Sequence, residues 1–202
     1  MPRPKVHDDA LRVRLLERAV RTLSQEGPDA LSLRKLAAQV GTSTTAVYSL
    51  FGGKQALLNA VFDEAFGRFG ERLANVESRA DPVEELLALA NAYRANALAE
   101  PHFYQVMFGP AGASFQPDAD TEQRAKETFT PLVTAIQRAM EAGELSAGDP
   151  IEVATTMWAC VHGMVSLELR NLLPESGDPE RLYLQAVTAM FVGWRPAPVD
   201  QR

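Results

Sequence analysis

A single cysteine, Cys160, excludes an internal disulfide and points to a reducing compartment. In its apolar run it reads as inert, since a redox sensor would need exposure and a lowered pKa. Histidines number three, His7, His102 and His162. They are scattered and no Cys/His pair has ligand spacing, so no metal is expected. There is no run of alternating β-branched residues and no Asn-Gly hairpin turn, which leaves a sheet without support. No Gly-rich phosphate loop follows a strand and no nucleophile–base set appears, so neither an enzyme nor a cofactor is expected. The longest apolar stretches, such as 157–167, are too short and broken to span a membrane. No apolar run follows a basic start, so no signal peptide is expected and the protein reads as cytoplasmic, without a membrane partner.

What is present is helical and unevenly charged. The 202 residues are 46% hydrophobic, enough for a packed core in one large domain or two small ones. The net charge of −6 argues weakly against a nucleic-acid partner, but its distribution argues the other way. Residues 1–54 hold nine Lys/Arg against five Asp/Glu, a balance of +4, and the remainder carries −10. A basic head on an acidic body is expected when only one end meets a polyanion.

Helical periodicity runs through the chain. A first helix over 8–26 carries Leu11, Leu15, Ala19, Val20 and Leu23 on one stripe and is stopped by Gly27-Pro28. Ser32 caps a short helix through Val40, Gly41 ends it, and Ser43 caps the next, 44–51. Helices are further expected over 54–73, 82–100 behind Asp81, a short one after Pro101, then 121–142, 149–172 and 179–194. The segment "GPAGASFQPDAD" (109–120) reads as a loop, either a lid over a pocket entrance or a disordered connector. The expected fold is all-α, with about nine helices.

Ala37, Gly41 and Val47 fit a helix-turn-helix together. Two helices that cross closely need a small residue at the crossing, a turn residue that tolerates positive φ, and an apolar residue aimed back. Leu33, Leu36, Val40 and Leu50 complete that small core. The second helix then presents Thr44, Thr45, Tyr48 and Ser49 outward, with Ser43 at its cap. Their hydroxyls suit base edges and phosphates. Tyr48 is a phosphate contact or a half-buried core tyrosine. Lys54 opens the following helix, where free N–H groups also favour a phosphate. Arg34 and Lys35 join these as candidate DNA-binding residues.

On these residues, "LSLRKLAAQVGTSTTAVYSLFGGKQALLNAVF" resembles the N-terminal domain of TetR-family (tetracycline-repressor-like) transcriptional regulators over 10–62. The resemblance implies that Tyr48 and Lys54 bind operator phosphates and that Thr44 and Thr45 lie nearest the bases. Many members carry proline in "FPSK"-like text where this chain reads Phe51-Gly-Gly-Lys54. "MWACVHGMVSLELRN" resembles a subgroup with a Trp-His-Gly pattern, here Trp158, His162 and Gly163. The family likeness implies a homodimer, a C-terminal ligand-binding domain, and repression of a near-palindromic double-stranded DNA operator relieved by an as yet unknown small-molecule effector. The implied domains are a head at 1–54, a ligand-binding and dimerisation body at 55–195, and a disordered tail at 196–202.

Within the body, the two last helices would make a four-helix interface between subunits through Val161, Val165, Leu169, Leu184, Val187, Met190, Phe191 and Trp194. A monomer would need another cover for that surface. The candidate pocket set is Phe62, Phe66, Phe69, Tyr93, Phe103, Tyr104, Met107, Phe108, Phe129 and Trp158, suited to a flat apolar ligand or to ordinary core packing. His162 polarises a ligand or is a hydrogen-bonded core or interface histidine. Two other functions stay open: a DNA-binding regulator controlled by a protein partner, and a helical carrier or enzyme with a DNA-binding head.

Overall fold

Ser32, Ser43, Asp81, Asp149 and Asp178 each accept a hydrogen bond from a backbone N–H in the first turn of the helix that follows. Such caps satisfy donors that a helix start leaves orphaned. The structure, a computed structural model, describes residues 5–110 and 115–197, with the side chains of residues 5–8 excepted. Expectations for the tail beyond residue 197, and for 111–114 of the loop, lie outside the described residues.

Ten α-helices, one 3-10 turn and no strand occur among the described residues. They are α1 (Lys5–Glu26), the 3-10 turn (Pro28–Ala30), α2 (Leu33–Val40), α3 (Thr44–Phe51), α4 (Lys54–Ala74) and α5 (Pro82–Ala99). Then come α6 (Pro101–Phe108), α7 (Ala119–Glu127), α8 (Thr130–Glu141), α9 (Pro150–Leu169) and α10 (Pro179–Trp194). No helix among the described residues is long and apolar enough to cross a membrane.

Two expected helices differ. The helix expected over 121–142 is two, α7 and α8, parted at Thr128 and Phe129. Pro131 sits in the first turn of α8; it has no N–H for a preceding carbonyl and disfavours helical backbone before it. α9 stops at Leu169 rather than Leu172. Asn171 turns left-handed at φ 54°, and Leu172 N–H closes onto the Leu167 carbonyl at 2.9 Å. Asparagine is one of the few residues that ends a helix this way.

The chain divides into two compact units, each discontinuous in sequence: Met1–Arg68 with Glu100–Lys126, and Phe69–Ala99 with Glu127–Arg202. In the first, α1 packs on α2, α3 and α6, with Leu15, Leu16, Ala19, Val20, Leu36 and Val47 in its core. In the second, α5, α8, α9 and α10 pack together. Arg94 of α5 pairs with both carboxylate oxygens of Glu168 of α9 at 2.8 and 2.7 Å, and Tyr183 of α10 donates to the Ala90 carbonyl at 2.6 Å. Burial opposes the charge of Glu85, but hydrogen bonds from Arg79 N–H, Arg138 and Ser78 outweigh it and hold its carboxyl below the usual range.

Candidate nucleic-acid interface

The head is built around one crossing. Ala37 is 2% exposed and Val47 fully buried, so α2 and α3 close on a small residue and an apolar one. Between them Gly41 takes φ 74°, ψ 39°, and Thr42 N–H reaches back to the Ala37 carbonyl at 2.9 Å. Only glycine enters that left-handed region without strain. Ser43 Oγ accepts from Ala46 N–H at 3.1 Å and starts α3. Two cross-ties hold the pair to α1: Arg18 Nε donates to Gln39 Oε1 at 2.8 Å, and the Arg12 guanidinium lies 5.6 Å from the Phe51 ring centroid.

This packing leaves a hydroxyl-rich face outside. Ser43, Thr45, Tyr48 and Ser49 are exposed, while Thr44 is half-buried. Tyr48 is 53% exposed, so it is not a core tyrosine. Thr45, Tyr48 and Ser49 lie within one turn of one another and share one side of α3. Arg34, Lys35 and Lys54 are exposed as well. Of the residues of α3 expected to face inward, Val47 is buried and Leu50 half-buried, and Phe51 is buried with them.

Lys54 has a partner within the protein. Its ammonium donates to the Pro28 carbonyl at 3.0 Å, which ties the start of α4 to the 3-10 turn. An ammonium carries three donors, so this bond leaves capacity for a phosphate. The two glycines before it have different tasks. Gly52 ends α3 at φ 81°, where a side chain is strained, and Gly53 offers its carbonyl to Leu57 N–H at 3.0 Å as α4 begins.

The candidate pocket residues fall into two groups. In the second unit, Tyr93 stands edge-on to Phe69 at 5.4 Å, and Phe129 edge-on to Trp158 at 6.1 Å. Trp158 Nε1 donates to Tyr93 Oη at 3.2 Å, and Tyr93 Oη lies 2.9 Å from His162 Nδ1. Burial lowers the His162 pKa, so its ring is neutral near pH 7. His162 is half-buried and hydrogen-bonded to Tyr93, an arrangement compatible with either role given to it. In the first unit, Phe66 and Tyr104 each meet Phe108 edge-on, at 6.2 and 5.1 Å, and Arg68 lies 4.5 Å from the Phe103 ring centroid. Met107 is buried beside them in sequence, and Phe62 is stacked by Phe115.

The residues expected at a subunit interface divide by helix face. Val161, Val165, Val187 and Phe191 are buried against the chain's own helices. Leu169, Met190 and Trp194 are half-buried, and Leu184 is exposed. The uncovered stripes are Ile151, Thr155 and Ala159 on α9, and Leu184, Thr188 and Val192 on α10. Burial pushes the Cys160 thiol up, away from the reactive thiolate.

The sequence marks Pro28 only as a helix stop and does not mark Arg18 or Gln39, since the Lys54–Pro28 and Arg18–Gln39 ties need tertiary neighbours. Sequence reading also treated 109–120 as one loop, although Asp118 Oδ1 accepts from Thr121 N–H at 2.9 Å at the start of α7. An Asp three residues before a Thr, leading into charged helical text, was the available signal.

Two family models match this chain. Residues 15–61 match bacterial regulatory proteins of the tetR family, and residues 86–190 match the tetracyclin repressor-like C-terminal domain. An uncharacterized HTH-type transcriptional regulator of Mycobacterium tuberculosis is 24% identical over 180 residues, covering 89% of this chain and 79% of that protein. A protein of unknown function from Rhodococcus sp. RHA1 superposes with a TM-score of 0.78 at 28% identity, covering 92% of this chain and 96% of the other. AibR, solved with isovaleryl coenzyme A and operator DNA, shares the fold with a TM-score of 0.73 at 22% identity, over 90% and 98% of the two chains. With its head and the greater part of its body matched, the chain belongs to the tetR family of bacterial regulatory proteins.

Proposed function

We propose that this regulator is a homodimeric repressor, working in the cytoplasm, that leaves a near-palindromic operator when its body binds a small apolar or aromatic effector. The observation that carries the DNA half is the exposed Thr45–Tyr48–Ser49 face on a helix held by Val47. A helix placed this way lays its N-terminal residues on base edges in the major groove. Thr45 reads bases, with Thr44 partly withdrawn. Tyr48, Ser43, Ser49, Arg34 and Lys35 serve the surrounding phosphates, and Lys54 clamps one while holding Pro28. The functional boundary falls near residue 54, with the body reaching to about residue 195.

The effector half is supported by the Tyr93–His162–Trp158 network and the rings of Phe69 and Phe129 around it. These groups are uncharged and mostly apolar, which suits a neutral, flat molecule. Trp158, His162 and Gly163 follow one another along α9, in line with the Trp-His-Gly subgroup. AibR, captured with both an acyl-coenzyme A and its operator, sets the precedent for a paired ligand and DNA. The subunits meet through the uncovered stripes of α9 and α10.

Selection of bound sequences from random double-stranded DNA tests this reading. A near-palindrome is expected, its half-sites about one helical turn apart or a multiple of it, mirroring the dimer. An unsymmetrical single site, or no enrichment, would sink the dimeric-operator reading. Effectors found by thermal shift should weaken operator binding, and by linkage the operator should weaken theirs equally.

A further inference from the structure

Phe115 lies flat on Phe62 of α4, with centroids 4.1 Å apart and planes 11° apart. Gln55 Nε2 donates to the Gln116 carbonyl at 3.3 Å, and the Asn59 amide donates to Asp118. Thr121 Oγ1 donates to Asp63 at 2.9 Å. Gln55, Asn59, Phe62 and Asp63 recur at helical spacing along one face of α4. Residues 115–121 are therefore strapped to that face by a ring stack and three hydrogen bonds.

Beside the strap lies a cleft of about 210 Å³. Leu23, Pro28, Leu58, Phe62 and Phe115 supply its apolar lining, and the amides of Gln55 and Gln116 supply its polar atoms. No charged side chain lines it. Gln55 Nε2 is held by the Gln116 carbonyl, which leaves the Gln55 side-chain oxygen as an acceptor in the lining.

The geometry points to a small-molecule site in the DNA-binding unit, for an uncharged planar aromatic of one or two rings that carries an N–H or O–H donor. The cleft is smaller than the pockets of roughly 300 Å³ and more that take drug-sized ligands, which sets the ring count. The stacked Phe62 and Phe115 favour another flat ring over an aliphatic chain. The uncharged lining excludes an ion, and the side-chain oxygen of Gln55, whose Nε2 is already engaged on the Gln116 carbonyl, selects for a donor. This site is separate from the Tyr93 network and does not depend on effector release from the operator.

Indole is a suitable probe, with indene as the same shape lacking the N–H. Each is titrated into full-length protein with ¹³C-labelled leucine methyls. Saturable shifts are expected at Leu23 and Leu58, with indole binding about five-fold more tightly than indene, as one hydrogen bond implies. Phe115→Ala should weaken indole about ten-fold by removing a stacking face, with unchanged far-UV circular dichroism to establish folding. Shifts confined to body methyls such as Leu86 and Leu89 would overturn the site. So would no saturation up to the solubility limit, equal affinity for the two probes, or an unaffected Phe115→Ala variant. None of these readouts involves the operator, so the site stands or falls apart from the repressor reading.

Discussion

Lys54 Nζ donates to the Pro28 carbonyl at 3.0 Å. The lysine that family resemblance assigns to a phosphate is thus also a brace inside the head. Lys54→Gln retains a donor for Pro28 but loses the charge, and Lys54→Ala loses both. Both variants should weaken binding on operator and random DNA alike, and lower the salt slope by about 1. Only Lys54→Ala should also lower the melting temperature. Fluorescence anisotropy at several salt concentrations, with a thermal melt of each variant, separates the two roles.

Thr45 is exposed and Thr44 half-buried. Thr45→Ala should therefore change which base is preferred at one operator position, by about 1–3 kcal/mol of discrimination, with stability unaltered. Competition binding against single-base operator variants reads this directly. An equal loss on operator and random DNA would contradict base reading by Thr45.

Gly41 sits at φ 74° with open space where a Cβ would go. Gly41→Ala should cost about 1–2 kcal/mol from backbone conformation alone, with no steric clash to add. Urea unfolding of the two proteins checks the value.

Burial lowers the His162 pKa from the ordinary 6.5. The unfolded chain then takes up this proton more readily than the folded one. Stability from the neutral ring is complete above pH 6.5 and is lost as the pH falls toward the lowered folded value. Urea midpoints between pH 5 and pH 8 should show an acid loss that His162→Gln reduces.

Arg94 and Glu168 have side chains 18% and 13% exposed and share two hydrogen bonds. The pairing with Glu168 raises the Arg94 pKa against the opposing effect of burial. Arg94→Met should cost about 3 kcal/mol, because it strands a largely buried carboxylate. The double variant Arg94→Met with Glu168→Leu should recover most of that loss in the same denaturant assay.

The helix starts were legible because Ser32, Ser43, Asp81, Asp149 and Asp178 act within three residues of themselves. The same locality made Gly41 and Gly52 readable as helix ends. The break at Thr128–Phe129 was hidden because charged helix-forming text before it runs straight into the apolar-spaced text after it, leaving Pro131 as its one local mark. Which side of α9 and α10 faces the core could not be read from helices that are apolar nearly all round. Val161 and Val187 are buried while Ile151 and Val192 are exposed, and only the neighbouring helices decide between them. The pocket set was chosen by residue type, so it mixed rings from both compact units. The strap stayed hidden because its contacts run from residues 115–121 back to 55–63, a span that no local pattern covers.

The recognition helix α3 is eight residues long, about 12 Å. A helix that short has no lasting existence in water on its own. The hydroxyl face is therefore a surface only while Val47 stays seated against α2, and a head that opens ceases to read before it ceases to be a chain. On the proposed function, operator DNA that binds only the seated form would draw the head toward it by mass action. The binding site on the genome would then act as a folding partner for α3, and occupied protein should resist protease attack in the head more than free protein does.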